Sequence, residues 1–254
     1  MATRGMIYVG TSGWNYQHWR GVFYPPDIKD ADMLGYISKR LPTIEINNTF
    51  YHLPRETSIA RWRDTAPGNF VFSVKASRFI THAKRLVDTE EAVKTFLNLA
   101  KGLGDRLGPI LFQLPPGLKP DMGRISSFID ALPRGFRYAF EFRNPGWETE
   151  EVYALLKKNN MAFCISDLAG HFSPVELTAD FAYLRFHGPA GAYAGKYDDR
   201  FLEEWAGTFF HWSQERHVYC YFDNDMWGYA VENALRMNEM ITEMLARRDR
   251  VSGF

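Results

Sequence analysis

The chain has 254 residues, 46% hydrophobic and 24% charged, and its 30 basic and 30 acidic residues cancel. That length suits one α/β barrel or two small domains, and the balance leaves no global field to gather nucleic acid or an anionic membrane. No apolar run reaches the ~20 residues of a membrane helix and no signal-peptide core opens the chain; with Cys164 and Cys220 inside apolar strands like reduced thiols, a cytoplasmic protein is expected.

The first predicted strand, Ile7–Gly10, opens into Thr11-Ser12-Gly13-Trp14, which reads equally well as an anion cradle or a tight capped turn. A helix over Met33–Arg40 follows. The second strand, Thr43–Asn47, sets Thr43, Glu45 and Asn47 on one parity and Ile44 and Ile46 on the other. Thr49–His52 is its loop and Arg55–Thr65 the next helix. The third strand, Phe70–Lys75, ends on Lys75, with Ile80-Thr81-His82 in the loop beyond. Asp88–Leu103 spaces Val93, Phe96, Leu97 and Ala100 along one helical face. Strand four, Ile110–Gln113, is stopped by Leu114-Pro115-Pro116-Gly117, and the helix Met122–Ala131 leads to strand five.

In strand five Phe140 and Phe142 share one side, while Ala139, Glu141 and Arg143 share the other. Burying an unpaired charge costs several kcal/mol, so Glu141 and Arg143 must pair, meet water or meet a ligand. Asn144-Pro145-Gly146 ends the strand, and a helix over Glu150–Asn159 follows. Strand six is Ala162–Asp167, after which Leu168–Asp180 looks irregular. Strand seven, Ala182–His187, carries Arg185 and His187 on one parity. A helix over Asp198–Glu215, strand eight at Val218–Asp223 and a helix over Ala230–Arg247 complete the chain.

Strand and helix alternate through eight units with no linker, which predicts a (β/α)8 TIM barrel, α/β in class, as a single domain over residues 1–254. A doubly wound sheet is the rival, but no G-x-G-x-x-G or Walker loop follows strand one. In a closed barrel the polar strand ends converge on one mouth, where barrel enzymes keep their chemistry. The alternative for any single member of that ring is an internal salt-bridge lattice.

Within the ring Glu141 is the expected general base or acid, with Glu45 as its counterpart, and His187 the proton carrier near neutral pH. Lys75, Arg143 and Arg185 would hold anionic groups or a developing oxyanion. Ser12, Asn47, Gln113, Asp167 and Asn224 complete the substrate contacts, and Trp14, Tyr51 and Trp147 would stack on an apolar ligand face. The loop carrying Gly188, Gly191 and Gly195 is the expected phosphate site. No organic cofactor motif is present. Glu45, Glu141, Asp167, His187 and Asp223 form a conceivable divalent-metal set, but Lys75, Arg143 and Arg185 neutralise those carboxylates without an ion, so no metal is expected. Gln113 and His187 stand where the two glycosidase carboxylates would be, Lys75 lies among carboxylates unlike a Schiff-base lysine, and G-x-S-x-G is absent.

Val9-Gly10-Thr11-Ser12-Gly13-Trp14, Glu45-Ile46-Asn47-Asn48-Thr49-Phe50-Tyr51, Phe72-Ser73-Val74-Lys75, Phe112-Gln113-Leu114-Pro115-Pro116, Glu141-Phe142-Arg143, Arg185-Phe186-His187-Gly188 and Tyr221-Phe222-Asp223-Asn224-Asp225 together resemble the DUF72 (YecE-like) family. The resemblance implies a TIM barrel similar to the sugar-isomerase-like ones, and no assigned activity. Two positions depart from the family pattern: Asn144-Pro145-Gly146-Trp147 replaces His-x-Ser-Trp after Glu-x-Arg, and Asp223 replaces the first Asn of Phe-Asn-Asn.

The expected function is acid/base chemistry, isomerase- or lyase/hydrolase-like, on a small polyhydroxylated or phosphorylated substrate. The alternative is a non-catalytic binder of a phosphorylated ligand or a single-stranded nucleic-acid end, which the zero net charge disfavours for long polymers. A monomer or weak dimer with no membrane partner is expected.

Overall fold

Contiguous runs of aliphatic and aromatic residues, buried on both faces, form the strands, as parallel sheets flanked by helices require. The computed structural model of the chain describes residues 4–252. The strands are β1 Ile7–Ser12, β2 Thr43–Ile46, β3 Val71–Lys75, β4 Leu107–Leu114, β5 Tyr138–Phe142, β6 Ala162–Leu168, β7 His171–Phe172, β8 Phe181–Phe186 and β9 His217–Phe222. The helices are α1 Asp30–Ile37, α2 Asn48–Tyr51, α3 Glu56–Thr65, α4 Glu90–Ala100, α5 Met122–Ala131, α6 Glu150–Lys158, α7 Asp199–Trp212 and α8 Tyr229–Ser252.

The sheet runs β5-β4-β3-β2-β1-β9-β8-β6-β7, and β5 also pairs with β6, closing a parallel (β/α)8 barrel. The ninth strand, β7, lies in the segment expected to be irregular. It pairs antiparallel with the end of β6, Asp167 opposite Phe172. Side-chain caps set several helix starts: Asp121, Thr149 and Asp198 accept hydrogen bonds from the N–H groups of Arg124, Val152 and Phe201. The helix expected over Asp88–Leu103 is shorter: Asp88 holds left-handed backbone at φ 49°, and a 3-10 segment, Lys101–Arg106, takes over after Ala100. Ile80-Thr81-His82, expected as loop, lies in a π-helical turn, Phe79–Ala83.

The residues pack as two compact units. The first holds the chain up to Ile44, Ser166–Phe172, and the chain from Asp180 onward. There β1 pairs with β9, Val9 opposite Cys220, and a Cβ on Gly10 would stand 2.0 Å from the carbonyl oxygen of Thr43. Only glycine permits that approach. The second unit holds Glu45–Ile165 and Ser173–Ala179. Its core is aromatic: Phe112, Phe128 and Phe140 interlock, and Phe142 lies against Phe163 and Trp147. Cys164 and Cys220 are both buried, outside any disulfide. Among the described residues, no helix is long and apolar enough to cross a membrane.

Candidate functional site

Strand alternation in the second unit does what parity predicts. Phe140 and Phe142 enter the aromatic core and Glu141 faces the other way, in register with Gln113 of β4. Arg143 Nε lies 2.6 Å from Glu141 Oε1, and the two side chains are 8% and 0% exposed. The charges singled out in the sequence therefore pair with each other. Glu45, at the end of β2, is likewise wholly buried, and Gln113 nearly so.

Lys75 ends β3 with its ammonium 4.3 Å from the centre of the Phe50 ring, a cation–π contact. The same ring meets His82 edge-on at 5.0 Å and Tyr51 at 5.1 Å. Asn47 caps the start of α2, its carbonyl accepting from the Phe50 N–H. Thr49 fixes α2 by donating its hydroxyl to the carbonyls of Lys75 and Ile46. Thr81 Oγ1 lies 2.8 Å from His82 Nδ1. Burial holds the His82 imidazole below its ordinary pKa, and the charges of Lys75, Arg78 and Arg143 push it further down. His82 is thus a neutral base in a cationic neighbourhood.

In the first unit Arg185 of β8 is wholly buried and forks between partners. It donates to Ser12 Oγ at 2.8 Å and to Asp223 Oδ2 at 2.9 Å, and its third contact, His187 Nε2, is at 2.9 Å. A guanidinium has no acceptor, so His187 Nε2 must accept. The ring proton then sits on Nδ1, which lies 3.0 Å from the Asp167 carbonyl oxygen. His187, expected as the proton carrier, therefore has both ring nitrogens hydrogen-bonded and its ring buried, as Glu45 and Glu141 are.

Asp167 receives the Tyr197 hydroxyl at 2.7 Å, and that same oxygen accepts the Gly188 N–H at 2.9 Å. Burial raises the Asp167 carboxyl above its ordinary pKa, and the Tyr197 hydrogen bond partly offsets this. The Gly188 N–H, expected to meet phosphate, is therefore bonded to Tyr197. A Cβ at Gly188, at φ 113°, would meet the Ala194 carbonyl oxygen at 2.1 Å, so glycine here serves the loop's close packing. Gly191 accepts from the Ala194 N–H, and Gly195 accepts from Asn224 Nδ2, which also donates to Asn233. Asn224 thus ties the loop to α8.

The three aromatics expected to stack on a ligand separate. Trp147 is 0% exposed, its indole N–H bonded to the Leu118 carbonyl, and Trp14 is 8% exposed, whereas Tyr51 is 61% exposed. Trp147 lies in the core, and of the three Tyr51 offers an open face. Among the described residues, no three His, Cys, Asp or Glu side chains group to hold a metal ion. Two participants were passed over in the sequence: Tyr197, which no local pattern marks, and His82, whose signal was its place one loop beyond Lys75.

Parallel strands ending in buried, paired charges define a (β/α)8-barrel protein with polar clusters at the carboxyl ends of its strands. The chain belongs to the DUF72 family, described as "Protein of unknown function DUF72", whose model matches residues 8–251. It is 25% identical to the UPF0759 protein YunF of Bacillus subtilis (strain 168), covering 93% of this chain and 95% of that protein. It is 29% identical to the UPF0759 protein YecE of Escherichia coli (strain K12) over 55% of this chain; there the match spans about half of the relative, 49%. The crystal structure of a DUF72 family protein from Thermotoga maritima MSB8 superposes with a TM-score of 0.85 at 28% identity, over 93% of this chain and 99% of that one. A xylose isomerase-like TIM barrel/4-hydroxyphenylpyruvate dioxygenase fusion protein matches at TM-score 0.53 and 11% identity, over 97% of this chain and 45% of that one, a likeness of fold alone.

Proposed function

We propose that the protein is an enzyme acting by acid/base chemistry on a small polyhydroxylated substrate with an anionic group, at the carboxyl ends of β2, β3 and β5 in the second unit. One observation carries this reading: His82, kept neutral, stands in the field of Lys75, Arg78 and Arg143. A neutral imidazole can accept a proton, and fixed cations beside it stabilise the negative charge that develops on the substrate. His82 takes the role first expected of His187. His82 gives back the proton it took, and the Glu141 carboxylate, oriented by Arg143, relays a hydroxyl proton from one substrate oxygen to the next with Glu45 as its counterpart.

The test is a panel of sugar phosphates screened by thermal shift, with solvent-deuterium incorporation into each stabilising compound followed by NMR. A ligand at about 100 times its Kd raises stability by about 2.7 kcal/mol, which such a screen detects. Glu141→Gln and His82→Gln should each slow exchange by roughly 10²–10⁴-fold. Normal exchange in both variants would refute the assignment.

A further inference from the structure

The two loops that carry this cluster have an unusual composition. Residues 46–55 and 76–87 hold Arg55, Arg78, Lys84 and Arg85 as well as His52 and His82, and acidic residues stand only at their ends, Glu45, Glu56 and Asp88. The chain as a whole is neutral, so this is a local concentration of positive charge. The loops touch through Phe50 and His82, and Thr49 bonds the first loop to the end of β3. Large apolar side chains stand open on both: Tyr51 at 61% and Phe79 at 51% exposure, with Leu53 and Val87 also exposed. Arg85, Leu86 and Asp88 all hold left-handed backbone, at φ 50°, 69° and 49°. Non-glycine residues keep such conformations where the surrounding structure imposes them, and they cluster at ligand clamps.

A sugar phosphate accounts for the cations and leaves the rings unused. A ligand with an anionic group and a flat unsaturated ring system uses both. We propose that the second unit binds a nucleoside phosphate, its base stacked on Tyr51 and its phosphate held by Arg78, Lys84 and Arg85. The inference rests on the second unit being a ligand site, and it narrows the substrate class. Every base has a π-face, so stacking gives affinity with little preference among bases. Arginine supplies the planar fork that phosphate oxygens accept. The unit comes either as a free nucleotide or as the end of a single strand.

Isothermal titration with adenosine 5′-monophosphate, ribose 5-phosphate and a short single-stranded oligothymidylate tests it, using the full chain and the surface variants Tyr51→Ala and Arg78→Ala. Adenosine monophosphate should bind at least about fivefold tighter than ribose 5-phosphate. Tyr51→Ala should weaken the nucleotide by about 5- to 100-fold, the equivalent of about 1–3 kcal/mol of stacking per base, and leave ribose 5-phosphate within about twofold. Arg78→Ala should weaken both. Tighter binding of the oligonucleotide with a steep loss in salt makes the source a strand; a shallow salt response with the mononucleotide preferred makes it a free nucleotide. Equal affinity for the two monophosphates, or an unchanged nucleotide affinity in Tyr51→Ala, overturns the nucleoside inference and leaves the anionic-substrate reading intact. Binding of none of the three ligands overturns both.

Discussion

Replacing Arg185 with methionine is the sharpest test of the polar cluster in the first unit. The wild-type guanidinium is wholly buried and holds Asp223, whose side chain is only 9% exposed. Without it the buried carboxylate loses its guanidinium partner, and breaking a buried pair from one side costs about 3–5 kcal/mol. Ser12 Oγ and His187 Nε2 also lose their contact at 2.8 Å and 2.9 Å, adding roughly 0.5–1.5 kcal/mol each. For a protein of this length the ion-pair loss alone lowers Tm by roughly 6–20 °C, at about 2–4 °C per kcal/mol. Circular dichroism melts and urea titrations measure it. The double variant Arg185→Met/Asp223→Leu should regain most of the loss, because two apolar side chains orphan no charge. A single variant weakened by less than about 1 kcal/mol, or a double variant no better than the single, refutes the view that Arg185 is required by its partners. Arg185→Lys should resemble methionine more than wild type, since an ammonium cannot reproduce the three-way fork.

His82 should titrate below its ordinary value of 6.5, because burial first and then Lys75, Arg78 and Arg143 disfavour its cation. The folded state then binds fewer protons than the unfolded chain between the two pKa values. The stabilisation is complete above about 6.5 and fades as pH falls toward the folded value. In an NMR titration Arg78→Ala should move the His82 midpoint upward; an unmoved midpoint removes Arg78 from the cluster. Trp147→Ala should cost about 3–5 kcal/mol in urea and leave ligand affinity in the second unit unchanged, while weakened affinity would restore Trp147 to the binding surface. Gly10→Ala, whose Cβ meets backbone at 2.0 Å, should lose at least about 3 kcal/mol or fail to fold; tolerance within about 1 kcal/mol would show that β1 can shift away from Thr43.

What the sequence reveals follows the range of the interaction. The strands were legible because each is a buried apolar run closed by a turn signal, and α5 matched at both ends because Asp121 caps it and Pro133 follows it. The Glu141–Arg143 pair was legible for the same reason: two residues apart on a strand, they share a side. The partners of His187 were not legible, because they are Arg185 and the carbonyl of Asp167, 20 residues upstream. The burial of Trp147 was not legible, because its hydrogen bond reaches Leu118, 29 residues away. β7 has two residues, both exposed, so no hydrophobic period marks it, and only the register with Asp167 and Leu168 makes it a strand. His82 belongs to its site through the Phe50 ring shared with Lys75, which no spacing rule encodes.

The pairing of β1 with β9 has a consequence for how the polypeptide matures during synthesis. Contacts along that seam, such as the Met6 N–H with His217, join residues 211 positions apart. At about 5–20 residues per second, translation takes roughly 10–40 s to deliver the partner of the first strand. Over that interval the edge of Ile7–Ser12 that β9 will cover has no partner, while Glu45–Ile165 is being made and can pair within itself. The nascent chain is therefore open to wrong pairing at β1, and a chaperone guarding this protein would find a target there.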